Sequence, residues 1–225
     1  MSRIEVGQRI LQEDLEWAKA NSLLFHKHRV GCVNMISSPG AGKTTILTET
    51  INALSHDMRI GVIEGDVETD LDASRIRRTG VPAVQINTKG GCHLSAAQVN
   101  GALGQLPLER LDLIFIENVG NLVCPSIFDL GEHAKAVVLS TPEGDDKSAK
   151  YPAIFARSAA MLINKADLLA CGALDFDVEK AIGQARRLNA NLEVFVISAK
   201  TGQGLDQWCQ WLRRLVSQVK ILGQA

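Results

Sequence analysis

Ser37-Ser38-Pro39-Gly40-Ala41-Gly42-Lys43-Thr44-Thr45 follows an apolar run at 32–36 and opens a helical pattern. A Gly-x-Gly-Lys-Thr-Thr stretch between strand and helix is the setting of a phosphate-binding loop. Gly40 and Gly42 let backbone N–H groups curl around phosphate, and the new helix turns its positive end toward it. Ala41 and Thr45 complete the wrap, Lys43 reaches the β- and γ-phosphates, and Thr44 holds magnesium. The usual pattern begins with glycine, but this sequence has Ser37 there.

Outward from this loop, further apolar runs lie at 60–64, 83–86, 113–117, 136–140, 160–163 and 194–197. Helical patterns between them start near Lys43, Asp70, His93, Asp146, Asp175 and Gly204. Strands alternating with helices imply right-handed crossovers. The expected fold is α/β: a three-layer P-loop NTPase with a mostly parallel sheet and helices on both faces. Residues 1–30 read as an N-terminal helix packed on a core domain at 31–225. Its apolar face is expected to carry Ile4, Leu11, Leu15, Ala18 and Leu23.

With 46% hydrophobic residues among 225, the chain suits one globular domain. A net charge of −1 offers no basic face for nucleic acid. No apolar run approaches a membrane span. Five scattered cysteines without a secretory leader read as reduced thiols in a cytoplasmic protein.

Two acidic groups should complete the phosphate site. Glu64-Gly65-Asp66 and Ile114-Phe115-Ile116-Glu117 both end strands, where ligands bind in open α/β sheets. Asp66 and Glu117 are the candidates for magnesium or its waters. Asp70 and Asp72 are candidates for orienting the attacking water, or are acids of a helix start.

Asn164-Lys165-Ala166-Asp167 follows another apolar run. A carboxylate at Asp167 can accept two hydrogen bonds from guanine N1–H and N2–H2, a donor pair that adenine lacks. Downstream, Ser198-Ala199-Lys200 again follows an apolar run and matches a second base-contacting loop. Together these point to GTP and GDP.

Cys92, His93 and Cys124 do not belong to phosphate chemistry. Two thiolates and an imidazole suit a borderline transition ion such as nickel or zinc. Gly90-Gly91 supplies the looseness that lets adjacent Cys92 and His93 converge. Cys124 follows Glu117 by seven residues, past Gly120. Cys32 and Cys209 read as core and Cys171 as a loop residue. His26 and His28 read as solvated, and His56 and His133 show no partner.

The motifs in order, with Gly90-Gly91-Cys92-His93-Leu94, Glu117-Asn118-Val119-Gly120-Asn121-Leu122-Val123-Cys124-Pro125 and Glu143-Gly144-Asp145-Asp146-Lys147, resemble the hydrogenase nickel-incorporation GTPases of the HypB/UreG class. The resemblance covers roughly residues 20–220. It implies a cytoplasmic maturation factor for nickel–iron hydrogenase that binds GTP with magnesium and hydrolyses it slowly. It implies nickel or zinc at Cys92, His93 and Cys124, near the seam of a homodimer that depends on GTP, metal or both. It also implies two partners, a HypA-type nickel chaperone and the hydrogenase large subunit. Many members carry an N-terminal Cys-rich motif or His-rich tract, and this sequence has neither. Ser95 stands where the family pattern has Asp, removing a charge beside the metal loop. The rival readings are a urease-type accessory GTPase, whose Cys-Pro-His run this sequence lacks, a P-loop kinase, and a metal buffer with negligible turnover.

Overall fold

Every apolar run becomes a strand because Val, Ile, Leu and Phe alternate between two buried sheet faces. The computed structural model describes residues 3–66 and 71–223, with side chains described for 12–65 and 74–223. The strands are β1 (Gly31–Ser37), β2 (Ile60–Asp66), β3 (Ala83–Asn87), β4 (Leu113–Glu117), β5 (Ala134–Ser140), β6 (Ala160–Asn164) and β7 (Glu193–Val196). They form one sheet in the order β3-β2-β4-β1-β5-β6-β7, with every pair parallel. The helices are α1 (Arg3–His28), α2 (Lys43–Leu54), α3 (Leu71–Arg77), α4 (Ala96–Leu103), α5 (Lys147–Lys150), α6 (Pro152–Arg157), α7 (Val178–Leu188) and α8 (Leu205–Leu222). No described helix is long and apolar enough to cross a membrane.

Alternation along β1 assigns the layers. Val33 and Met35 face a core shared with α2 and α8, where Trp208 donates to Thr50 Oγ1 at 3.0 Å. Cys32 and Ile36 face the other side, in two separate apolar clusters. One gathers α1 and α4, and the other gathers α6 and α7. Asn34 lies between them on that face, fully buried. The central position of β1, between β4 and β5, brings the phosphate loop to the sheet's switch point.

Two expectations need correction. Among the described side chains of α1, Ala18, Asn21 and Phe25 are buried, whereas Leu15 is 53% and Leu23 69% exposed; the side chains of Ile4 and Leu11 lie outside the described residues. Docking is set by polar anchors as much as by the apolar stripe. Asn21 Nδ2 donates to the carbonyls of Ala96 at 2.9 Å and Leu130 at 3.0 Å, and Asp14 Oδ1 accepts from Ala96 N at 2.8 Å. The second correction concerns α4, which starts at Ala96 rather than near His93. Ser95 is its N-cap, in a reciprocal capping box with Gln98. Asp and Ser are both good caps, so the departure at Ser95 preserves the helix start.

Asp112 ties the strand entrances to α8. It is 6% exposed and receives Arg59 Nε at 2.9 Å, Arg59 Nη2 at 3.0 Å and Lys220 Nζ at 2.7 Å. Hydrogen bonding from Arg59, with Lys220 behind it, holds this carboxyl well below the usual carboxylate range. A depressed folded value gives stability that is complete above the unfolded value of about 4 and is lost as pH falls through the folded one. Asp112→Asn is therefore expected to cost about 2 kcal/mol at neutral pH. The deficit should shrink in urea melts repeated at progressively lower pH.

Candidate nucleotide and soft-metal site

Gly40 and Gly42 adopt positive φ (76° and 95°), and Ser37 does not. Glycine is thus needed where it occurs, and the serine at the first position costs nothing in backbone strain. Gly42 caps α2 without a side chain, so the first N–H groups of that helix face a cavity of about 590 Å³. Lys43, 9% exposed, donates to Ser37 Oγ at 2.9 Å inside this cradle.

Thr44 Oγ1 donates to Glu117 Oε1 at 2.7 Å. Glu64 stands in register beside Glu117 on the neighbouring strand, and both carboxyls are buried at 4% and 5% exposure. Adjacent carboxylates repel unless a proton or cation relieves them. A hydroxyl and two carboxylates lining one cavity fit a hard divalent cation such as magnesium. Glu64 was missed in the sequence because Asp66 nearby is the more familiar end-of-strand acid. Arg75 was missed too; it lines the same cavity and donates to Thr45 Oγ1 at 2.9 Å. The Asp66 side chain, Asp70 and the Asp72 side chain lie outside the described residues.

The candidate base loops meet the candidate phosphate loop through the Asn164 amide and the Lys165 ammonium. Asn164 Nδ2 donates to the Ala41 carbonyl at 2.9 Å, and its Oδ1 accepts from Ala199 N at 3.1 Å. A Cβ on Gly42 would lie 2.5 Å from Asn164 Nδ2, so this contact requires glycine. Lys165 Nζ donates to the Gly40 carbonyl at 2.8 Å. Asp167 Oδ1 accepts from Ser198 Oγ at 2.6 Å, which orients the carboxylate. Asp167, Leu168, Ala199 and Lys200 line a mostly apolar cavity of about 210 Å³ that shares Gly42 and Thr45 with the phosphate end. An apolar slot with one oriented acceptor suits a flat base bearing paired donors.

Cys92, His93 and Cys124 form the one such cluster among the described residues, with a possible ligand atom from each lying within 4.8 Å of the others. The two sulfurs are 2.9 Å apart, and Cys92 Sγ lies 3.5 Å from His93 Nδ1. The hydrogen bond with Cys124, aided by burial, pushes the Cys92 thiol up. Burial pushes His93 down, favouring the neutral imidazole that a metal needs. His93 stacks on Phe128 with ring centroids 4.0 Å apart, which fixes its plane. Exposed Val123 and Ile127 flank Cys124. This donor chemistry fits a borderline ion and not magnesium.

The remaining candidates are accounted for structurally. Cys32 and Cys209 are buried, and exposed Cys171 donates to the Leu168 carbonyl at 2.8 Å. His133 has a partner after all: its Nδ1 accepts from Cys32 N at 3.1 Å.

The CobW/HypB/UreG nucleotide-binding domain model matches residues 32–196. The hydrogenase maturation factor HypB of Escherichia coli strain K12 is 50% identical over 209 residues, covering 93% of this chain and 71% of that one. The probable hydrogenase maturation factor HypB of Methanocaldococcus jannaschii is 39% identical, covering 96% and 97%. Among solved structures, HypB from Helicobacter pylori in complex with nickel superposes with a TM-score of 0.86 at 37% identity, covering 92% of this chain and 96% of that one. With a family model spanning most of its length and half its residues shared with a bacterial HypB, the chain belongs to the CobW/HypB/UreG family.

Proposed function

We propose that this chain is a GTP-hydrolysing nickel metallochaperone of nickel–iron hydrogenase maturation, working in the cytoplasm. The observation that carries the proposal is continuity. The segment that begins at Glu117, against the P-loop threonine, ends at Cys124, against Cys92. In this reading, residues 1–30 are an N-terminal segment carrying α1, appended to a P-loop GTPase domain at 31–225 with the metal site embedded in it.

Backbone N–H groups of Gly40 to Thr45 and the Lys43 ammonium hold the phosphates. Thr44, Glu117 and Asp66 would hold magnesium, with Glu64 beside Glu117 lining the same cavity, and the ion would offset the charge that builds on the phosphate oxygens. Asn164, Lys165 and Asp167, with Ser198 to Lys200, hold the guanine. Cys92, His93 and Cys124 carry nickel or zinc as cargo. Support for nickel comes from the donor set and from the nickel-bound Helicobacter pylori relative. A homodimer is favoured by the exposed Val123 and Ile127 beside Cys124, since apolar side chains next to a three-ligand site suit a partner surface. The HypA-type chaperone and the hydrogenase large subunit are the proposed donor-side and acceptor-side partners.

If nucleotide and nickel are coupled, each alters the other's affinity by the same factor. Nickel titrations in GDP and in a non-hydrolysable GTP analogue should give different affinities, and nucleotide titrations with and without nickel should return the same ratio. Cys124→Ala is expected to weaken nickel by about 100-fold or more, beyond what loss of an outer supporting residue costs, with GTP affinity in the absence of nickel unchanged. Equal nickel affinities in both nucleotide states overturn the coupling. Phosphate release no faster than background leaves a metal buffer instead.

A further inference from the structure

The polar side chains between the phosphate cradle and the thiol pair form a connected set. Asn118 is 2% exposed and Asn34 fully buried. A buried amide is unfavourable unless its groups are hydrogen-bonded, and these are. Asn118 Nδ2 donates to Asn34 Oδ1 at 3.3 Å, and Asn34 Nδ2 donates to Glu132 Oε1 at 2.9 Å. Asn118 Oδ1 accepts from Leu94 N at 3.2 Å. Three residues later, Asn121 Nδ2 donates to the Cys92 carbonyl at 3.2 Å. His93 is therefore bracketed, with the peptide before it tied to Asn121 and the one after it to Asn118.

Gly120 lies between the two asparagines. A Cβ there would sit 3.1 Å from Pro39 of the phosphate loop, so only glycine lets the segment pack this closely on the cradle. Asn118 is the fixed point, locked into β1 through Asn34. Asn121 lies beyond Gly120 and is only half-buried. Leu94 is held as well, packed into the space where a Cβ on Gly65 would lie within 2.7 Å of it.

We infer that Asn118 and Asn121 are positioning residues that convert movement at Gly120 into rotation of the Cys92–His93 peptide. Nucleotide state then reaches the soft-metal set from two sides, through the chain to Cys124 and through Asn121 to Cys92. The inference rests on the proposed coupling of nucleotide and nickel and names the groups that carry it.

The test is Asn121→Asp, which keeps the acceptor that Val123 N uses at 2.8 Å and removes the donor to Cys92. Nickel is titrated by thiolate charge-transfer absorbance in GDP and in the GTP analogue. The ratio of the two affinities cancels any direct effect of the new charge. Wild type is expected to show a ratio of about fivefold or more, and the variant a ratio near one, with affinity for the analogue in the absence of nickel unchanged. A wild-type ratio in the variant overturns the inference. Amide exchange at residues 92–94 without nickel separates this inference from the metal reading. Protection that depends on nucleotide in wild type and not in Asn121→Asp supports it even if nickel binding itself fails. Identical exchange behaviour in both chains sinks it.

Discussion

Lys43→Ala is expected to lower GTP turnover by about 10²–10³-fold, the scale of losing one preorganised charge donor at a reacting centre. The ammonium is held at the floor of the cradle by Ser37 Oγ at 2.9 Å, so it needs little reorganisation to meet the β- and γ-phosphates. No other lysine or arginine occurs within the loop itself. Arg75 lines the same cavity, but it stands on α3, beside Thr45. Single-turnover phosphate release at saturating GTP measures the loss directly, and a thermal melt of the variant confirms that it is folded. Turnover within about fivefold of wild type would remove Lys43 from the mechanism.

Asp167→Asn is expected to weaken GTP by roughly 10²–10⁴-fold, from two hydrogen bonds to a charged acceptor at about 1.5–3 kcal/mol each. The carboxylate is oriented by Ser198 Oγ at 2.6 Å, and its slot is mostly apolar. An amide there turns a donor toward guanine's donors. Xanthine carries a carbonyl in place of the 2-amino group, so the variant should prefer xanthosine triphosphate. Competition between labelled guanosine and xanthosine diphosphates reads the inversion. A variant that still prefers guanosine would place base recognition elsewhere, and the reading of Asn164 to Asp167 as the base loop would fail.

All seven strands were legible in the sequence because each is a short apolar run ending in a functional or turn residue, such as Ser37, Glu117 or Asn164. The phosphate and base motifs are contiguous in sequence, so their loops can be read locally. The soft-metal trio was legible as residue types, and the 2.9 Å approach of Cys92 to Cys124 across 32 residues follows from both segments emerging at strand ends. What stayed hidden depends on contacts distant in sequence. The inward face of α1 is chosen by Asn21 reaching Ala96 and Leu130, which no apolar count reveals. Glu64 became visible as a site residue only when the register of β2 against β4 set it beside Glu117. Asn118 and Asn121 look like ordinary loop asparagines until their partners, Leu94 and Cys92, are known.

Asn164 is shared property. One side chain amide braces the loop proposed to grip one end of the nucleotide and the loop proposed to read the other. Damage to it should therefore not resolve into separate losses of grip and selectivity. In a double-mutant cycle, changes at Asn164 and Gly42 should be strongly non-additive. Natural variation at one end of the pocket is likewise constrained by the other, because neither loop can drift without dragging its neighbour.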